Sequence, residues 1–523
     1  MSKEKIIGVE QALNLISDES KIAIASAGLV GYPDYIVKAL EERFLNSGHP
    51  NNLTLYQGCG HAVPKRHEGA QRFGHKGFVK KMICSHPDQA PDLRCFIEDG
   101  TIQAYCIPQG VLQHLYRCAA SREPGLLTKI GIGTYCDPRL EGGKLNQNTT
   151  EDLVSVMDID GEEYLFYRSF PVSVAIVRGT TADDFGNITI EKEALRLENL
   201  EIALAAKASG GIVIAQVERI AQNGTLKAKD VQIPGNLVDA VVVAENPELY
   251  HRQTEGTVYS PYMSGELRCP VDNAVQRSEK LSAQDVICRR AAFELYDGAI
   301  VNVGKSIGAG VGTVAAVEGI QDKITFTMEL GVVGGIPQDV PDFAASVNPQ
   351  AFLSHGAMFD YYHGGNLGIT FLGAAQIDKE GNVNVSKFAG RAAGQGGFID
   401  ITQSAKKVVY TLYFKAKGLD VNVENGKVNI ENEGAFPKFI SEVEQITFNG
   451  KDAREKGQEV IIITERCVFK LVKEGVKLVE IAPGIDLKKD ILDQMEFAPI
   501  VSDDLKEMDA RIFRPGRMGC FDE

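Results

Sequence analysis

Helix, short strand, glycine turn, helix, strand: this run occurs twice in the chain, once near its start and once past its middle. In the first pass Val9 to Ile16 has apolar residues at helical spacing, and Lys21 to Ala25 is a strand. Ser26 to Pro33 is a glycine-bearing turn, Asp34 stands where it can cap a helix running to Phe44, and Asn52 to Tyr56 is the next strand, ending in Gly58-Cys59-Gly60. In the second pass Ile287 to Leu295 is helical, Ala299 to Val303 is a strand, and Gly304 to Gly308 is the turn. A helix follows, then the strand Ile324 to Met328. Strands that alternate with helices in this way predict parallel sheets with helices packed on them.

The two passes align. Setting Leu53 to Gly60 on Ile324 to Gly331 places Gly60 on Gly331 and Gly58 on Glu329. Ala182 to Ile190 matches Ile377 to Val385, and Gly211 to Gln216 matches Lys407 to Leu412. Three matches in one order predict two copies of one fold. The polar stretch 265–283, with Pro270, serves as the linker between an N-terminal domain over 1–264 and a C-terminal domain over 284–523. Beyond Lys407 the pattern turns β-rich. Val421 to Ile430 alternates around Asn425-Gly426, and Val460 to Val479 gives two strands around Glu474-Gly475. Asp486 to Phe497 is expected as a terminal helix. The fold class is therefore α/β: two tandem open α/β domains with a β-rich C-terminal portion.

A chain of 523 residues is too long for one core. Its net charge of −15, without a polybasic run, argues against a nucleic-acid partner. No apolar run is long enough to span a bilayer, and Met1 to Ile7 lacks a signal-peptide core, so no membrane partner is expected. Ten cysteines without a Cys-x-x-Cys pair fit reduced thiols in a cytoplasmic protein, and Cys84 with His86 lacks the second pair a metal site needs.

Within Ile324 to Pro337 the one charge is Glu329, at a strand end beside Gly331, Gly334 and Gly335. A carboxylate in an apolar run is costly unless it is solvated, paired or used, and open α/β sheets bind ligands at strand ends. The aligned position in the first copy is Gly58, so only one copy would carry a reactive group, the other leaving space. Pro108-Gln109-Gly110 puts an amide at a strand-to-helix junction, and the glycines of Ala393 to Asp400 could offer amides to an oxyanion. Gly304-Lys305-Ser306 does not fit a phosphate loop, and no Ser–His–Asp arrangement can be placed.

Taken together these segments resemble the family I coenzyme A-transferases, in particular the fused single-chain acetate and propionate branch. The resemblance runs through Pro108-Gln109-Gly110, Lys129 to Arg139, Gly142 to Asn146, Gly210 to Val213 and Ser264 to Glu266. It continues through Glu329 with Gly334-Gly335, Phe359 to Gly365, Gly394 to Asp400, Gln445 to Gly450, Ile463 to Arg466 and Glu480 to Asp486. It implies an acyl-CoA:carboxylate CoA-transferase acting on a short-chain acid by a ping-pong route through a glutamyl–CoA thioester, with Glu329 as nucleophile. It further implies Gln109 and Gly397 as oxyanion donors, CoA contacts at Gly304, Gly308 and Gly396, no metal, and no permanently bound cofactor beyond the CoA thioester used as substrate. Lys305, where the chain departs from the family, is a further CoA-contact candidate, through a CoA phosphate or a substrate carboxylate. The implied assembly is a homo-oligomer, a dimer or tetramer. An acyl-CoA hydrolase using the same Glu329, or a non-catalytic ligand-binding protein of the same fold, are the competing functions. The chain departs from the family pattern at Leu330, at Lys305-Ser306 and at Asn366 to Gly368.

Overall fold

A computed structural model describes residues 4–60, 62, 66–270, 280–305, 307–519 and 521. The central part of the expected linker, 271–279, and Ser306 lie outside the described residues. The chain divides into two compact units. Unit 1 is Met1–Leu267 with Phe352–Asp360 and Ala389–Asp400, and unit 2 is Arg268–Ala351 with Tyr361–Phe388 and Ile401–Glu523.

In unit 1 the strands β1 (Lys21–Ile24), β2 (Leu53–Gln57), β3 (Val79–Cys84), β4 (Gln103–Cys106), β5 (Val174–Arg178), β6 (Ile212–Val217) and β7 (Ala240–Val243) form one sheet. Its spatial order is β7-β6-β5-β1-β2-β3-β4, and every pairing is parallel. Helices α1 (Asp34–Ser47), α2 (Gln109–Ser121) and α3 (Asn199–Ala208) connect the strands. A parallel sheet is covered on both faces, so its strands are apolar throughout rather than alternating. β2 and β5 are accordingly buried at every residue.

In unit 2 the strands β8 (Ile300–Val303), β9 (Thr325–Thr327), β10 (Val332–Val333), β11 (Ile369–Leu372), β12 (Lys407–Thr411) and β13 (Glu459–Ile463) lie in the order β10-β9-β8-β11-β12-β13. Helices α4 (Ala283–Ala292) and α5 (Ile307–Glu318) flank β8 in sequence. Beyond β13 come β14 (Cys467–Val472), β15 (Gly475–Ile481) and β16 (Ile500–Glu507). β14 and β15 pair antiparallel, which makes this end β-rich.

The duplication is visible in topology and in atoms. The order β2-β1-β5-β6-β7 in unit 1 recurs as β9-β8-β11-β12-β13 in unit 2, all parallel. After β5, Asp183 Oδ1 accepts the N–H groups of Phe185 (3.0 Å) and Asn187 (2.9 Å), and Asn187 Oδ1 accepts Gly235 N–H at 2.8 Å. After β11, Asp378 Oδ1 accepts the N–H groups of Glu380 (3.0 Å) and Asn382 (3.0 Å), and Asn382 Oδ1 accepts Gly450 N–H at 2.9 Å. The matched Asp-x-x-Gly-Asn segments thus build one turn twice. A side chain at either Gly235 or Gly450 would strike backbone carbonyl oxygen, at 2.3 and 2.4 Å.

Three local expectations change. Asp34 does not cap α1, which starts at Asp34 itself behind Pro33. Its buried carboxylate takes Arg72 Nε (2.9 Å) and Nη2 (2.8 Å) instead, because a buried acid needs a counter-charge. The stretch after Asp486 forms short irregular turns over Leu487–Ile491 and Leu492–Gln494, and β16 follows. Gly58 leaves no open space: a Cβ there would lie 2.1 Å from Gln113 Nε2 and 3.0 Å from Glu198 Oε1.

Candidate active site

Glu329 sits on a hairpin at the C-terminal end of β9. Met328 N–H donates to Val332 O (2.9 Å) and Gly331 N–H to Met328 O (2.9 Å), folding 328–332 back so that β10 pairs with β9 through Thr327 and Val333. Gly331, at φ +112°, makes the turn, a conformation costly for any residue with a Cβ. Glu329 is half-buried at the tip, while Leu330 beside it is buried.

Beneath the hairpin runs a row of polar side chains set by strand register. Asn302 of β8 is opposite Thr327 of β9 and Thr370 of β11. Thr370 Oγ1 donates to Asn302 Oδ1 at 2.9 Å, Asn302 Nδ2 donates to Tyr362 Oη at 3.2 Å, and Tyr362 donates to Thr327 Oγ1 at 2.8 Å. All four are buried. Burial, opposed by its bond to Thr327 and reinforced by the Glu329 charge, pushes the Tyr362 phenol well up, so it is a neutral donor. The row holds the end of β9 fixed where the nucleophile candidate departs. Tyr362→Phe leaves Asn302 without its acceptor and is expected to cost about 1–3 kcal/mol, read as a lower unfolding midpoint.

Lys305 is exposed in the turn after β8, adjacent to Gly304. β8 and β9 pair in parallel register, so Gly304 and Glu329 stand at neighbouring strand ends. Gly308 has a packing reason of its own, since a Cβ would lie 2.6 Å from Phe371 O. The departure at Gly368 has one too: the Tyr296 hydroxyl lies 2.4 Å from where a Cβ would be.

In unit 1 the structure brings Gln109 and Gly396 together, and Gly397 follows Gly396 in the same loop. Gln109 N–H donates to Gly396 O (3.1 Å), and its Oε1 lies 3.3 Å from where a Cβ on Gly396 would be. Gln395 and Gly396 both donate to Ser85 O, at 2.9 and 2.8 Å, which pins the glycine loop. Gln109 opens α2 at the expected strand-to-helix junction and is only 1% exposed. Its neighbour Gly110 donates to Asp400 Oδ2 at 3.0 Å, and a Cβ there would strike Asp400 and Phe359. Sequence reading missed Glu198 and His355, which contact Gln109 directly or in turn. Neither lies in a motif that marks it.

Unit 1 also holds a cavity of about 590 Å³ lined by Glu193, Leu195, Arg196, Lys227 and Lys229. Glu193 is buried against Arg178, with Nη2 at 3.0 Å, and His251 Nε2 at 3.3 Å. Burial opposes its charge, but Arg178 and His251 outweigh it and hold the carboxyl at about 2, below the ordinary 4.5. A depressed acid stabilises the fold above its unfolded value, and that contribution is lost as pH falls from about 4.5 to about 2. Urea unfolding of Glu193→Gln should therefore show a deficit against the parent on the order of 3 kcal/mol at pH 7 that closes as pH drops through this window.

The residues 7–244 match the model of the family described as Coenzyme A transferase. The chain is 48% identical to the caffeate CoA-transferase of Acetobacterium woodii over 97% of each chain. It is 40% identical to the acetate CoA-transferase YdiF of Escherichia coli strain K12, over 98% of this chain and 96% of that one. The solved acyl-CoA transferase YdiF of E. coli O157:H7, in a thioester complex with CoA, superposes with a TM-score of 0.92 at 39% identity, over 99% of this chain and 97% of that one. The chain belongs to the coenzyme A transferase family. It is an enzyme, a CoA-transferase of the fused single-chain kind. No helix among the described residues is long and apolar enough to cross a membrane.

Proposed function

We propose that the chain moves CoA from an acyl-CoA to a free carboxylic acid through a covalent thioester on Glu329. The observation that carries this reading is the half-buried Glu329 at a strand-end hairpin, above a fully hydrogen-bonded polar row. A carboxylate oxygen attacks the acyl carbonyl, the carbon–sulfur bond breaks, and an acyl–glutamyl anhydride and CoA thiolate result. The thiolate then attacks the glutamyl carbonyl, releasing the first acid as carboxylate and leaving glutamyl–CoA. A second acid reverses both steps. Glu329 needs no base, because a carboxylic acid is ionised at neutral pH. The anhydride and thioester retain the activation of the starting thioester, so no ATP is required.

Gln109 and the Gly397 N–H are the oxyanion donors in this scheme, and Gly304, Lys305 and Gly396 the CoA contacts. Gly308 is a further CoA contact in this scheme, and its missing Cβ also lets α5 pack against Phe371 O. We further infer domains over 1–264 and 284–523 joined by 265–283, no permanent cofactor, and a cytoplasmic homo-oligomer, a dimer or tetramer. The solved thioester complex of YdiF supports the covalent route. The acid is short-chain in this reading, and acetate, propionate and caffeate form the test panel, caffeate and acetate being named for the relatives.

Intact mass after mixing with acetyl-CoA tests the route. A CoA-sized adduct that maps to Glu329 and is discharged by an acid of the panel supports it. Equal CoA release with and without acceptor acid would make the chain a hydrolase instead.

A further inference from the structure

Gln109 is held by two buried groups that the proposed chemistry does not use. Its amide Nε2 lies 2.7 Å from His355 Nε2, and His355 Nδ1 lies 2.8 Å from Glu198 Oε2. Glu198 and His355 are fully buried, and Gln109 nearly so. All three belong to unit 1.

The local backbone is arranged for this pair. Glu198 occupies the N-cap position of α3, and its side chain makes no capping bond. Leu197 before it is held at φ +55°, a conformation costing about 1 kcal/mol or more for a residue with a Cβ. Leu197 O in turn accepts the N–H of His355, the first residue of the helix His355–Tyr361. The helix end does not use the carboxylate and the backbone before it is strained, and the result is a carboxylate aimed at an imidazole.

The chemistry of the contacts fixes the protons. One amide hydrogen of Gln109 goes to Nε2, so that nitrogen carries the lone pair. Nδ1 then carries the hydrogen and donates it to Glu198. We infer that Glu198 and His355 are positioning residues: Glu198 selects the Nδ1–H tautomer, and His355 Nε2 clamps the Gln109 amide so that its second N–H is free to be donated to the acyl oxygen. This inference rests on the reading of Gln109 as an oxyanion donor. An amide fixed before the substrate arrives needs no reorganisation as negative charge develops.

The test is a double-mutant cycle on the full chain. Turnover and KM are measured for acetyl-CoA with propionate, and folding is checked by circular dichroism. Gln109→Ala is expected to lower kcat by about 10²- to 10³-fold. His355→Asn keeps a polar group near the Nδ1 position but cannot reach Gln109, and Glu198→Gln keeps the shape but not the charge. Each is expected to lower kcat by about 10- to 100-fold with KM for acetyl-CoA unchanged. In the Gln109→Ala background His355→Asn should cost nothing more. If its loss multiplies there, or if both variants keep the parent kcat while Gln109→Ala does not, the positioning role is overturned. If Gln109→Ala keeps the parent kcat, the oxyanion reading itself fails. Should His355→Asn not fold, Glu198→Gln alone and in the Gln109→Ala background decides the question by the same outcomes.

Discussion

Glu329→Gln is expected to lose transferase turnover by about 10⁴-fold or more, the scale seen when a covalent nucleophile is removed. The amide keeps the size and most of the polarity of the carboxylate but cannot attack a thioester carbonyl. The CoA adduct should vanish from the intact mass spectrum. Stability should change little, since Glu329 stands half-buried at a hairpin tip rather than in the core. That contrast makes the measurement decisive: a variant that melts with the parent yet forms no adduct has lost chemistry, not structure. An adduct that persists at full rate in Glu329→Gln would remove Glu329 from the mechanism. The neighbouring departure from the family pattern, Leu330, is 1% exposed. Its side chain packs inward at the turn, so its contribution is to hold the hairpin that carries Glu329.

The second large effect is on stability. Arg466 is fully buried in the turn between β13 and β14. Its Nε lies 2.6 Å from Glu465 Oε1, and its Nη1 lies 2.6 Å from Glu433 Oε1 and donates to Asp490 O at 2.9 Å. The guanidinium also covers the Phe414 ring at 4.7 Å. Glu465 is itself fully buried and accepts Phe414 N–H at 2.9 Å. Arg466→Ala would leave that carboxylate buried without its counter-charge, which costs about 3–5 kcal/mol. Calorimetry should show a transition lowered by roughly 10 °C. The double variant Glu465→Gln/Arg466→Met removes both charges and should recover part of the loss, because replacing a whole buried pair costs less than breaking one. An Arg466→Ala protein that melts with the parent would show the pair to be dispensable. The segment Ile463 to Arg466 was one of the family-like motifs, and within unit 2 it makes this packed and charged cluster.

Much of the architecture is written locally in the chain. Apolar strands, glycine turns and helical spacing are short-range signals, so the duplicated β–turn–α–β grammar was legible and reappears as two sheets with the same order of parallel strands. The Asp-x-x-Gly-Asn match was legible too, since one short segment makes most of its own hydrogen bonds. Glu329 stood out because a charge in an apolar run is conspicuous on its face. The Asn425-Gly426 hairpin followed for the same local reason, with Asn425 at φ +52° and Gly426 at +74°.

What the sequence left open depends on partners far apart in the chain. Asp34 looks like a helix cap until Arg72 is brought to it, 38 residues on. Gly58 looks like vacant space until Gln113 fills it. Gln109 is only an amide at a strand-to-helix junction until His355 is placed against it from 246 residues away and Glu198 behind that. The row Thr370–Asn302–Tyr362–Thr327 exists only because parallel register sets three strands side by side. The sequence by itself determined the class of fold and its duplication, and it singled out Glu329 as the one charge in its apolar stretch, because these rest on periodicity and local composition. The nucleophile role proposed for Glu329 comes from the family resemblance. Only the tertiary structure decided which polar side chains are held, and by what, because long-range burial removes water and leaves each such group to find its partner across the fold.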